Sequence, residues 1–323
     1  MTSIILDLEV GSRLDVAEAH EIAEAAAAAG VTAIRLLDGA ADDALDPTAV
    51  AAYLAGRDPR PRWIAEAPTT HNAPYNLARR LLSLDRATAG RAGLALRAGD
   101  GDEVSESAVP DRQAAGRGRR WAEYARVLTG LWGSFPAAAL LGDQAEGVFA
   151  DTDLIKPIDH EGSFYRVAGP LDGPSSPQGR PVLVADARDE LDWQDAAALA
   201  DVLVVPWDQV PEAASRLAVA LERVGRRREE VALLGRIELT GDQSAQSAQS
   251  AQPAQSAQSA SPTAAELAER AASHSLDGLV LAIGGDRENV LAVLRALGPW
   301  PRPAPEATLR AALGLPELVG ASA

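Results

Sequence analysis

The chain contains no cysteine. Disulfides, thiolate nucleophiles, zinc-thiolate centres and iron–sulfur clusters are therefore excluded. Aromatic residues are scarce, at 4% of 323 residues, while hydrophobic residues reach 47%, so Ala, Leu and Val must fill the interior. Among the 30 basic residues only Lys156 is a lysine, a bias that reads as coding preference rather than chemistry. Positive charge as a whole is short. A formal net charge of −16 repels phosphate backbones and anionic lipid, which argues against nucleic acid or a membrane surface as partner. No apolar run approaches the ~18 residues of a membrane helix. The opening segment Met1–Val10 is too short and too acidic for a signal peptide. The expectation is a cytoplasmic protein.

What the sequence does contain is alternation. Short β-branched runs at Ser3–Leu8, Thr32–Leu37, Arg62–Ala67, Arg91–Arg97, Pro181–Ala185, Val202–Val205, Val231–Ile237 and Gly278–Ile283 read as strands. Between and after them, Asp15–Ala29, Pro47–Leu54, Pro74–Ala87, Arg119–Leu131, Asp192–Leu199, Val210–Val224, Thr263–Ser273 and Asp286–Leu297 read as helices, several with an acidic cap or an early proline. Eight strict βα units imply a parallel sheet, and closing it into a (βα)8 TIM barrel removes both edges. An open doubly wound sheet is the alternative. One domain spans residues 1–323. Two stretches interrupt the alternation besides a polar loop at Ala98–Gly118: an insertion at Trp132–Gly179, before the fifth strand, and a Ser-Ala-Gln repeat at Ser244–Pro262, after the seventh. The repeat has neither charge nor apolar face to offset its ordering entropy, so it reads as a disordered loop.

Four blocks carry a family resemblance. The first is Pro68-Thr69-Thr70-His71-Asn72-Ala73-Pro74-Tyr75, continuing through Arg79-Arg80 and Ser83-Leu84-Asp85 to Gly93. The second runs from Gly147-Val148-Phe149-Ala150-Asp151 through Ile158-Asp159-His160-Glu161-Gly162 and Gly169-Pro170-Leu171 to Ser176-Pro177-Gln178-Gly179-Arg180-Pro181. The third is Asp38-Gly39, and the fourth is Thr308-Leu309-Arg310 with Leu313–Pro316. Together they resemble the luciferase-like flavin monooxygenases, in the branch containing nitrilotriacetate monooxygenase. The resemblance implies a barrel holding reduced FMN at the carboxyl ends of its strands, O2 as oxidant, a small organic substrate and a separate flavin reductase. It is compatible with a homodimer. In such enzymes the cofactor supplies the redox chemistry and the protein supplies orientation.

The resemblance places Asp38, Thr69, Thr70 and His71 as cofactor-binding residues. Each has a plainer reading. Asp38 is equally a turn residue, Thr69 and Thr70 equally cap the following helix, and His71, where the family has Tyr, is either a proton carrier or a structural loop residue. His160 belongs to a motif that shapes the insertion, and His20 and His274 look incidental. Arg79, Arg80 and Asp85 read as salt-bridged packing elements, and Trp132, Phe149, Phe164 and Tyr165 as the core of the insertion.

Two family signatures are altered. The fourth strand of the family continues Trp-Asn-Val-Val-Thr-Ser; here it is Leu94-Ala95-Leu96-Arg97-Ala98-Gly99, so Ala95 and Ala98 offer no side-chain hydrogen bond. The Gly/Ser loop for the FMN phosphate is replaced by Asp186-Ala187-Arg188-Asp189-Glu190-Leu191-Asp192. The sequence therefore supports an FMN-dependent monooxygenase of unidentified substrate, with a flavin-free binding or scaffold barrel as the alternative. A cofactor-free barrel enzyme using Asp38 and His71 has less support.

Overall fold

Asp15 opens the first helix by accepting the Glu18 N–H, while the Glu18 carboxylate takes the Asp15 N–H in return. Gly30 closes the helix at φ +87°, and a Cβ there would lie 2.2 Å from the Trp300 carbonyl oxygen, so only glycine fits. The same logic of cap, helix and stop repeats around the molecule. Asp46, Asp192, Thr263 and Asp286 each accept backbone N–H groups at the start of a helix.

The computed structural model describes residues 2–11, 14–39, 43–99, 115–239 and 262–318. Its barrel strands are β1 (Ser3–Leu8), β2 (Ala33–Leu36), β3 (Trp63–Pro68), β4 (Ala92–Arg97), β9 (Val182–Asp186), β10 (Val202–Pro206), β11 (Ala232–Leu239) and β12 (Gly278–Ile283). They pair in the order β1-β2-β3-β4-β9-β10-β11-β12, and β12 returns to β1. Every lateral pairing is parallel, so the barrel is closed and the open-sheet alternative is excluded. The helices are α1 (Val16–Ala29), α2 (Pro47–Arg57), α3 (Pro74–Ala87), α4 (Arg117–Gly133), α5 (Trp193–Leu199), α6 (Val210–Val224), α7 (Ala264–Ser273), α8 (Arg287–Leu297) and α9 (Leu309–Ala312).

The expected elements are present, with α2 and α4 longer than their apolar pattern indicated. The short helix α9 was not expected, because four residues show no periodicity. It matters to the core. Leu309, Leu313 and Leu315 plug the amino-terminal end of the barrel against Ile5, Ile64, Ala95 and Val182.

Between α4 and β9 the chain makes two small antiparallel hairpins, β5 (Leu140–Asp143) with β6 (Val148–Ala150) and β7 (His160–Glu161) with β8 (Arg166–Val167). Glu123 of α4 anchors the second. Its carboxylate accepts the N–H groups of Ser163, Phe164 and Tyr165 at 2.8–3.2 Å and lies 3.2 Å from His160 Nε2. The reading of His160 as a shaping residue agrees with this. Trp132 and Phe164 are buried and Tyr165 meets Tyr124 edge-on at 5.2 Å, but Phe149 is 72% exposed. Assigning Phe149 to the insertion core is corrected: it sits on a two-stranded hairpin, which cannot bury both faces. His274 caps the carboxyl end of α7, where its ring meets Trp207 edge-on. The Ser-Ala-Gln loop and most of the polar loop at Ala98–Gly118 lie outside the described residues.

Candidate functional site

Side chains alternate across a strand, so every second residue of a barrel strand points inward. Ile5, Ala33, Ile64, Ala95, Val184 and Leu234 belong to one apolar interior cluster. Two residues further along the same strands the lining turns ionic. Going round from β1 to β9 it reads Asp7, Arg35, Glu66, Arg97 and Asp186, then Pro206 on β10, Arg236 on β11 and Ala282 on β12. The signs alternate around the ring and sum to zero.

The charges are paired with one another. Arg35, fully buried, reaches Asp7 through Nε (2.7 Å) and NH2 (2.8 Å), and crosses the barrel to Asp186 at 3.1 Å. Arg236 reaches Asp7 at 3.1 Å and Glu238 at 2.7 Å. Arg97 spans Glu66 and Asp189, at 2.9 Å each. Arg188 closes on Asp186 at 2.6 Å. Burial pushes the Asp186 carboxyl up, but Arg188 and Arg35 outweigh it and hold the group at about 2. Burial opposes the charge on Arg35 and Arg97, and their carboxylate partners reverse that and raise both.

The residues expected from the sequence sit around this ring without forming one open cradle. Asp38 is exposed at the rim, and its N–H donates to Glu66 at 2.8 Å. Partial loss of hydration, then repulsion from Glu66 and Asp46, raises its carboxyl, against the pull of Arg97 and His71. His71 is exposed, with its backbone in the left-handed region at φ +58°. Asp38 and His71 are thus brought together. Thr69 and Thr70 are buried; the Thr69 hydroxyl accepts the Gly99 N–H at 3.1 Å, and the Thr70 hydroxyl packs against Gly99. Beside the rim, a cavity of about 250 Å³ is lined by Glu9, Leu14, Leu37, Arg236, Leu239 and Ile283, among others.

Sequence reasoning missed Asp7, Arg35, Glu66 and Arg236. A signal existed: a charge at an inward register position of an otherwise apolar run, repeated on six strands. Read one strand at a time, each charge resembles a strand end.

At the opposite face a different network holds the strand starts. Buried Asp85 accepts the Ala92 N–H (2.9 Å) and the Gln178 amide (2.7 Å), and Gln178 in turn accepts the Arg310 N–H. Arg310 and Arg180 both clasp Asp201, at 2.9 and 2.6 Å. Asp85 is therefore a hydrogen-bonded pin rather than the ion-pair member the sequence suggested, whereas exposed Arg79 and Arg80 pair with Asp172 and Asp46. Residues from three of the resemblance blocks meet here, on the face of a barrel that carries stability rather than chemistry.

A closed eight-stranded parallel barrel with a charged mouth defines the class of protein. The chain belongs to the luciferase-like monooxygenase family, which it matches over residues 4–294. It is 33% identical over 168 residues to nitrilotriacetate monooxygenase component A of Aminobacter aminovorans, a match covering 49% of this chain and 36% of that protein. A pristinamycin IIA synthase polypeptide of Streptomyces pristinaespiralis is 28% identical, over 90% of this chain and 86% of its own length. The matches to the first three curated relatives span about a third of those proteins' lengths. Among solved structures, EDTA monooxygenase from Chelativorans sp. BNC1 superposes with a TM-score of 0.74 at 21% identity, covering 98% of both chains, which shows the shared fold. No helix of the described residues is long and apolar enough to cross a membrane.

Among the described residues, those at this mouth do not fit FMN. A phosphate dianion needs free N–H groups at a helix start. Here Asp186 takes the Arg188 N–H, and Asp192 takes those of Gln194 and Asp195. Asp189 accepts the Ala98 N–H and pairs with Arg97, and Arg188 is spent on Asp186. The layer beneath is an ion-pair ring, not a flat apolar slot.

Proposed function

We propose that this chain is a luciferase-like barrel that works as a binding protein without flavin chemistry. One observation carries the reading: the self-neutralising ring of Asp7, Arg35, Glu66, Arg97, Asp186 and Arg236 directly beneath the mouth. To seat a flavin ring, the protein would have to separate buried ion pairs and leave their members uncompensated. To seat its phosphate, the loop would have to accept a dianion among Asp186, Asp189, Glu190 and Asp192. An unscreened unit-charge pair at ~4 Å costs roughly 4 kcal/mol at an effective dielectric near 20. Asp186 is offset by Arg35 and Arg188, Asp189 by Arg97 and Glu190 by Arg117, so those arginines are already engaged and Asp192 stands nearest to a bare charge. The cavity beside Arg236 is of a size for a small organic molecule. Calorimetric titration with FMN, and anaerobically with reduced FMN, tests the reading. We expect no heat of binding at concentrations near 100 µM. Micromolar or tighter binding overturns it.

A second reading is the reaction of the nitrilotriacetate monooxygenase branch: oxygenation of a small organic substrate with O2 and reduced FMN from a separate reductase. The nearness of Asp38 and His71 at the rim favours it, since a carboxylate and an imidazole together can relay a proton. Flavin binding in the titration, followed by substrate-dependent oxygen uptake with an added reductase, would establish it in place of the first.

A further inference from the structure

At the amino-terminal face, away from the mouth, three arginines stand together without a paired carboxylate. Arg62 is only 5% exposed; its Nε and NH2 donate to the carbonyls of Ala307 (3.0 Å) and Ala304 (2.7 Å). Arg302 donates to the carbonyl of Ala28 in the last turn of α1, and Arg91 to that of Pro59. The Nε of Arg91 is buried with no acceptor. Among the described residues none of the three makes an ion pair, although acidic residues outnumber basic ones 46 to 30 in this chain. Arg60 nearby is different, being paired with Asp58 and Glu24.

Arg62 and Arg302 open onto a cavity of about 240 Å³ with apolar walls that include Ala27, Val31, Pro61 and Pro303. A buried cation held only by neutral carbonyls is costly, and Arg62, which lines the cavity, is such a cation. Burial and the neighbouring Arg91 push the Arg62 guanidinium down, and the attraction of Glu306 does not make up the difference. We propose that this notch binds a small organic oxyanion, a carboxylate or a phosphate ester. Its charged end sits against Arg62 and Arg302 within the field of Arg91, and its apolar body lies on the alanine and proline walls. Guanidinium groups suit such oxyanions because they present paired N–H donors in one plane.

The test uses the full chain at fixed ionic strength, with inorganic phosphate, phenyl phosphate and benzoate as probes. Calorimetry measures binding, and thermal unfolding is followed against a chloride control. Near saturation, phenyl phosphate or benzoate should raise the melting temperature by about 2 °C, and the stronger of the two identifies the headgroup. Arg302→Met should weaken binding about tenfold while leaving the melting temperature in chloride unchanged. Arg295→Met, at an exposed position of α8, should bind as the parent does. The proposal is overturned if no probe binds the parent protein, or if Arg302→Met binds as tightly as the parent. Arg62→Met should abolish binding; since it also frees the carboxyl-terminal segment, its binding is judged only if it folds, and Arg302→Met decides the matter alone.

Discussion

Replacing Arg35 with methionine tests the charged ring at its centre. Methionine matches the length of the arginine stem but removes the three hydrogen bonds to Asp7 and Asp186. Deleting one member of a buried ion pair costs about 3–5 kcal/mol, because the partner stays buried and charged. Asp7 keeps Arg236 and Asp186 keeps Arg188, so the cost should fall near the low end, about 3 kcal/mol. In a chain of 323 residues that lowers the melting temperature by roughly 4–5 °C. The double variant Asp7→Leu/Arg35→Met should recover more than half of the loss, since it removes the stranded charge with its partner. Acid makes the test sharper. Asp186 is held at about 2 in the fold against about 3.8 when unfolded, so its contribution is present above pH ~4 and is lost as pH falls toward 2. Without Arg35 that carboxyl climbs, the contribution shrinks, and the gap between variant and parent should narrow as pH falls from about 4 toward 2. Urea unfolding across that range reads it directly. A loss under about 1 kcal/mol at pH 7, or a gap that does not change with pH, would refute the reasoning.

Asp85, buried and with one oxygen lacking a partner, is raised to about 6 by burial, against the pull of Ser176 and Gln178. The fold therefore binds its proton more tightly than the unfolded chain does, and stability should rise as pH falls from about 6 to about 4. Asp85→Asn should flatten that rise and gain up to roughly 3 kcal/mol at pH 7, as measured by urea midpoints; an unchanged profile argues against it. Glu123→Ala leaves three N–H groups without an acceptor, so hydrogen exchange at Ser163, Phe164 and Tyr165 should accelerate while barrel amides hold. Uniform acceleration throughout the chain would mean that the hairpin is not a separately anchored unit.

The barrel was legible because its signals are local and repeated. Asp15, Asp46 and Asp286 announce helix starts, Gly30 announces a stop, and the β-branched runs between them have the length of a strand. The substituted loop at Asp186–Asp192 was legible too: its carboxylates take helix N–H groups, as their positions ahead of α5 imply. The ring was not. Arg35 finds Asp186, 151 positions further on, only after the chain between them has closed the cylinder, and nothing local announces that contact. Thr69 and Thr70 read equally as cofactor-binding hydroxyls and as caps of the following helix. Whether they are buried depends on how Gly99 packs at the end of the neighbouring strand, which no pattern in their own segment encodes. The family blocks posed a subtler difficulty. Asp85, Gln178, Arg180 and Arg310 identify the fold strongly because they tie it together, and that tie is indifferent to what happens at the mouth.

The alternating ring also acts as a vernier on the cylinder. Apolar layers of Val, Ile and Leu tolerate sliding, because a strand displaced by two residues presents a similar surface to its neighbours. A strand carrying Asp7 or Arg35 has no such freedom. Displacing β2 by two residues would withdraw Arg35 from between Asp7 and Asp186 and leave those interior carboxylates to Arg236 and Arg188 alone. Barrel stagger fixes radius and tilt together, so the charges that make the mouth unsuited to a flavin also select one cylinder from the several that the hydrophobic pattern alone would permit.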